Sequence, residues 1–192
     1  ANLMNASSRQ LPGILFNILF TATSAGFYMI IHRVFGVPVT IFSITIGDVF
    51  RQEANNAFVN YGNCVNEYKI TFKRLLAISL IPFIIFFFIA PDLFEIVFGK
   101  NWRIAGEYSK ILTPMFFLRF IANPLSNMFI IAEKQKMELL LQTILFLSIC
   151  CSFILGFIFE DIILTFALFS AANCLIYLIK MLMSWEFAKG KY

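Results

Sequence analysis

Charge is scarce in this chain. Only 14% of its 192 residues are Asp, Glu, Lys or Arg, against about a quarter in ordinary soluble domains. Histidine occurs once, at His32, and none of the four cysteines (Cys64, Cys150, Cys151 and Cys174) stands in a CxxC or Cys/His spacing. Neither a zinc site nor a disulfide framework is expected. Three of those cysteines lie inside apolar runs, where they read as small hydrophobes. No GxxxxGK loop is present to cradle a nucleotide phosphate. No pair of carboxylates and no long polar loop offers a catalytic site. Glu160-Asp161 and the Asp92/Glu95 pair fall in turns or at a helix end, where charges are ordinarily solvated. An enzyme is therefore not expected. The net charge of +4 is too modest to call for a nucleic-acid partner. The chain starts at Ala1 with no basic segment ahead of a short apolar core, so no signal peptide is legible. It opens directly into a membrane-like run and reads as a piece of a longer protein.

What the chain has instead is oil. It is 60% hydrophobic, with 25 Phe and a mean hydropathy of +0.82. The excess is arranged in long runs, which implies an integral membrane protein. At roughly 20 apolar residues per crossing, about six helices are expected, near 3–22, 25–50, 75–98, 108–132, 138–159 and 162–184. The fold class is all-α, a polytopic membrane helix bundle. The first run is the most polar, with Asn2, Asn5, Arg9, Gln10 and Asn17. The third carries Pro82 and Pro91, and its end, PDLFEIVFGKNW, is expected to leave the bilayer as a short interfacial helix. The linker 51–74, rich in Asn and aromatics, is expected to lie on the surface as a partly amphipathic helix.

Basic residues orient the bundle. Arg51, Lys69, Lys73 and Arg74 fall in the first long linker, Lys134 and Lys136 in the EKQKME turn, and Lys180, Lys189 and Lys191 towards the tail. With six crossings these share one side. The other side has the uncharged TATS turn, the acidic Glu160-Asp161 turn and a mixed connection around Asp92–Lys110. Both termini are accordingly placed in the cytoplasm.

Polar residues recur at helical spacing inside several runs, so they share faces. In the second, Arg33, Gly36, Thr40, Ser43, Gly47 and Arg51 step by three or four, with Asp48 beside them. The first gives Ala6, Gln10, Gly13, Asn17 and Thr21, with Arg9 adjacent. The fourth gives Arg119, Asn123 and Ser126, and the sixth Ser170, Asn173, Tyr177, Lys180 and Ser184. The third and fifth show no such stripe, and PFIIFFFIAP in the third suits lipid contact. A charged side chain at the bilayer centre costs about 3 kcal/mol on insertion scales. Arg33 and Arg119 are therefore expected to face a polar cavity lined by helices one, two, four and six, with three and five facing lipid. Two deep arginines without matching deep carboxylates favour an anionic ligand. The same stripes also fit helix packing through small residues, with Arg9 and Lys180 snorkelling and Asp48 paired to Arg51. Pro38 stands between Arg33 and Asp48, while Pro114 and Pro124 flank Arg119. Each proline removes a backbone hydrogen bond, giving either a hinge for alternating access or a static kink.

Two stretches carry a resemblance. GFYMIIHRVFGVPVTIFSITIGDVFRQEA (26–54) and, more specifically, APDLFEIVFGKNWRIAGEYSKILTPMFFLRFIANPLS (90–126) resemble the O-antigen and exopolysaccharide translocases of the multidrug/oligosaccharidyl-lipid/polysaccharide exporter superfamily. A weaker likeness extends over most of the chain. The resemblance implies that residues 1–192 are the C-terminal transmembrane lobe of a two-lobed transporter in the bacterial inner membrane, partnered by an N-terminal lobe. It implies a substrate as well, an oligosaccharide on undecaprenyl pyrophosphate, flipped from the cytoplasmic to the outer leaflet. An ion gradient would drive it, without a cofactor, and the machinery that polymerises the repeat unit would be a neighbour. On this likeness Arg33 is the first candidate for the pyrophosphate, followed by Arg119, Arg9 and Lys180, because arginine grips such an anion bidentately. Asn17, Asn123, Asn173 and Tyr177 would hydrogen-bond sugar hydroxyls, and Asp48 is the ion-coupling candidate. A multidrug antiporter of the same superfamily is the alternative, though cationic drugs call for buried carboxylates. A membrane assembly subunit that does not transport is another.

Overall fold

The computed structural model describes residues 2–190, with side chains from residue 11 onward. Every element in it is helical: α1 (Asn2–Leu19), α2 (Ala22–Ile31), α3 (Val37–Tyr61), α4 (Val65–Phe98), α5 (Arg103–Leu125), α6 (Met128–Ile131), α7 (Gln135–Ile158) and α8 (Ile162–Ala188). The chain is an all-α bundle. Five helical segments are long and apolar enough to cross a bilayer: Ala22–Tyr61, Val65–Phe98, Lys100–Ile131, Gln135–Ile158 and Ile162–Ala188. Together with α1, which is not among these spans, the described residues form six rods, where about six crossings were expected.

The second rod is continuous but not uniform. Between α2 and α3 the residues His32–Gly36 form a π-helical turn. Pro38 lies just beyond it and has no N–H to give to the carbonyl one α-turn back, so the chain widens there. Pro114 and Pro124 sit within α5, and α5 ends directly after the second of them.

Two connections differ from expectation. Residues 51–74 do not form a separate surface helix. α3 runs on to Tyr61, Gly62 caps it in the left-handed region at φ 72°, and α4 starts at Val65. A positive φ costs glycine nothing, and this lets the two helices fold back as a hairpin. The hairpin is held because Cys64 is buried and its N–H donates to the Ala188 carbonyl at 2.9 Å. Nor does PDLFEIVFGKNW leave as its own helix. α4 passes through Pro91 to Phe98, and only Lys100–Trp102 forms a short 3₁₀ turn. Burial of Ala90, Pro91 and Phe94 holds this stretch in place. Gly106 of α5 makes the approach possible, since a Cβ there would overlap Pro91 Cα and lie 2.8 Å from the Ala90 oxygen.

Two apolar clusters fill the interior. Near one end, Phe16 of α1 stacks on Phe166 and meets Phe153 edge-on, tying α1 to α8 and α7. Towards the other, Phe50, Leu75, Phe129 and Phe187 join α3, α4, α6 and α8. α4 presents Ile84, Ile85 and Phe88 outward, as a lipid-facing helix should.

Candidate functional site

Between the two apolar clusters lies a polar layer. It lines a small, partly open cavity of about 60 Å³. α5 contributes Arg119 and Asn123, and α8 contributes Asn173, Tyr177 and Lys180. These five were expected from the sequence, and the fold brings them together. The periodicity explains why: Arg119 and Asn123 are one turn apart, and Asn173, Tyr177 and Lys180 follow steps of four and three.

The remaining polar lining was not anticipated. Tyr28 of α2, His32 of the π-turn and Gln142 of α7 face the same cavity. α7, expected to face lipid, thus lines it, while none of α1's described side chains does. A lone Gln in an apolar run gives a weak signal. The usable signal was its register: Glu138, Gln142, Leu145, Ile149, Ser152 and Gly156 step by three or four, and all except Glu138 are buried. Tyr28 and His32 are likewise one turn apart, a pairing obscured by reading His32 only as a ligand without partners.

The two deep cations of this layer are treated differently. Lys180 is 4% exposed and lies 4.0 Å from the Glu138 carboxylate across the α7–α8 contact. Arg119 is 7% exposed, and its guanidinium donates to Thr40 Oγ1 of α3 at 3.3 Å. Thr40 spends its own hydroxyl proton on the Gly36 carbonyl at 2.7 Å, within the loosened turn. No carboxylate among the described residues lies within ion-pairing distance of Arg119. Residues 1–10, 191 and 192 supply no Asp or Glu.

The other candidates lie elsewhere. Arg33, Asn17 and Asp48 are exposed on the outside of the bundle. Arg33 therefore does not join Arg119 in the cavity. It stands among Met29, Val37 and Ile44, all exposed apolar side chains of the same rod. Asp48 and Arg51 are both exposed and form no ion pair among the described residues. The rest of the α3 stripe packs helices. Gly47 is buried against Pro124 of α5, and the side-chain N–H of Asn127, just before α6, donates to its carbonyl at 3.0 Å. Arg9 lies outside the described side chains.

Comparisons with protein-family models, with curated proteins and with solved structures returned no match.

Proposed function

We propose that this chain is one lobe of a transporter that flips a pyrophosphate-linked oligosaccharide lipid across the bacterial inner membrane. The reading is carried by Arg33. Its guanidinium is exposed about 16 Å along the rod from Ala22, at ~1.5 Å per residue, on a face otherwise apolar at Met29, Val37, Ile41 and Ile44. Hydrocarbon against that group would cost about 3 kcal/mol or more. A water-filled passage along this face, closed on its far side by the second lobe that the resemblance implies, removes the cost. Arginine in such a passage grips a diphosphate with its fork of donors.

The buried polar layer plays a different part in this scheme. Its volume of about 60 Å³ is far below the ~300–1,000 Å³ of pockets that take drug-sized ligands. It cannot receive a sugar diphosphate in this conformation. Arg119 supplies positive potential behind the passage, and Asn17 and Asp48, both exposed, are free to meet sugar hydroxyls and a coupling ion. The cytoplasmic end is the one with the 61–65 turn, the 132–135 turn and the α8 terminus, where the basic residues gather.

The test uses the full-length protein in cells lacking the native translocase. Arg33→Ala should abolish surface polysaccharide at unchanged protein level, and Arg33→Lys should restore part of it. Normal polysaccharide in Arg33→Ala would remove this residue from the passage and the reading with it.

A further inference from the structure

The polar layer poses a charge problem that the proposed transport does not solve. Lys180 has Glu138 at 4.0 Å. Arg119 has one long hydrogen bond, to a neutral hydroxyl. A guanidinium carries five N–H donors and stays protonated. Burying it without a counter-charge is costly, because an ion in a low-dielectric interior gives up most of its hydration. The group is 7% exposed and lines the cavity itself.

We infer that this cavity is a binding site for a small monovalent anion of the halide class, held by Arg119 and ringed by neutral donors. The cavity has room for about four waters at ~15 Å³ each, and a halide is little larger than a water. The donors are of the right kind. Tyr28, Tyr177, Asn123, Gln142 and Asn173 bring hydroxyl and amide hydrogens to the same lining, and Asn173 spends only one of its two amide hydrogens on the Phe169 carbonyl, at 2.8 Å. Charge sets the valence. With Lys180 paired to Glu138, Arg119 is the guanidinium left without a carboxylate, and a single monovalent anion neutralises its one charge. Size excludes a sugar diphosphate. A bound anion joins α5 to α7 and α8 and reaches α3 through Arg119 and Thr40, so it acts as a structural ion between the two apolar clusters.

This inference does not depend on transport, and its test needs none. The detergent-purified full-length protein is titrated with sodium chloride against sodium gluconate at constant ionic strength, and its melting temperature is followed. Saturating chloride should raise Tm by about 3–5 °C, as a ligand at ~100 times its Kd does for a protein of several hundred residues. Arg119→Gln should flatten that response, and Arg119→Lys should keep part of it. Should Arg119→Gln fail to fold, crystals of the wild-type protein grown in bromide decide the matter. An anomalous peak beside the Arg119 guanidinium upholds the site. No peak there, together with identical melting in chloride and gluconate, would mean that waters alone fill the cavity and would overturn the inference. A flippase that fails the Arg33 test yet binds bromide keeps this site and loses only the transport reading.

Discussion

Single residues set how closely these helices approach. Gly106 and Gly26 occupy similar helical settings with opposite surroundings. A Cβ at Gly106 would run into the α4 backbone at Ala90 and Pro91, whereas at Gly26 nothing lies within 4 Å. Gly106→Ala must push α4 away from α5 and should cost about 1–3 kcal/mol, the range for overpacking a well-filled contact. Gly26→Ala should gain up to about 1 kcal/mol, because alanine loses less backbone freedom in a helix. Melting of the two purified variants beside wild type reads both signs, and equal shifts would show that the α4–α5 contact is not tight at Pro91. Residue-level reading of the sequence located Arg119, Asn123, Asn173, Tyr177 and Lys180 because charge or amide groups at helical spacing stand out against apolar neighbours. It grouped Arg33 with Arg119, which the fold does not, since spacing along one helix says which face a residue is on but not which neighbour covers that face. Arg33 and Gly47 share a stripe, yet Gly47 is packed by Asn127 and Pro124 while Arg33 is left outward.

Elements inherit their roles from such contacts, and α7 is the clearest case. Its run Leu139–Ile158 reads as lipid-facing, yet one of its faces closes the polar layer through Gln142, and Glu138 joins the buried Lys180 to it. Removing one partner of that pair leaves the other buried without compensation. Glu138→Ala should therefore destabilise by about 2 kcal/mol, below the ~3–5 kcal/mol of fully buried pairs, because the contact is long and Glu138 is 19% exposed. Glu138→Leu combined with Lys180→Met should recover most of the loss, since an apolar pair of similar volume avoids the desolvation altogether. A double mutant no more stable than the single one would mean that Lys180 serves the polar layer independently of Glu138. The 51–74 segment teaches the complementary lesson. Its Asn and aromatic residues suggested a partly amphipathic surface helix. The segment forms instead the ends of two long helices, because Gly62 supplies a turn tight enough to need no linker helix.

At the scale of the molecule, aromatic and basic residues mark two levels. Trp185 of α8 lies under Lys69 and Lys189, whose ammonium groups sit 5.5 and 5.4 Å from its ring. Trp102, beside Phe27 at 5.6 Å, marks the opposite end, where α5 and α8 begin with Tyr108 stacked on Phe166. From Ile162 to Trp185 the helix advances about 35 Å at ~1.5 Å per residue, close to the ~30 Å hydrocarbon thickness with interfacial tryptophans at each edge. The turn at 62–64 and the turn at 159–161 must then lie on opposite sides of the membrane. In a background with the native cysteines replaced by serine, Asn63→Cys should react with a membrane-impermeant maleimide only from the side where the basic residues gather, and Glu160→Cys only from the other. In the wild-type protein the native Cys64, although it shares the first turn, should resist the reagent. Burial, aided by the charge of Glu67, pushes its thiol up to about 12, so almost no thiolate exists near neutral pH. Labelling of positions 63 and 160 from the same side would break the alternation of crossings along the chain. It would also remove the bilayer depth assigned to Arg33, on which the proposed passage rests.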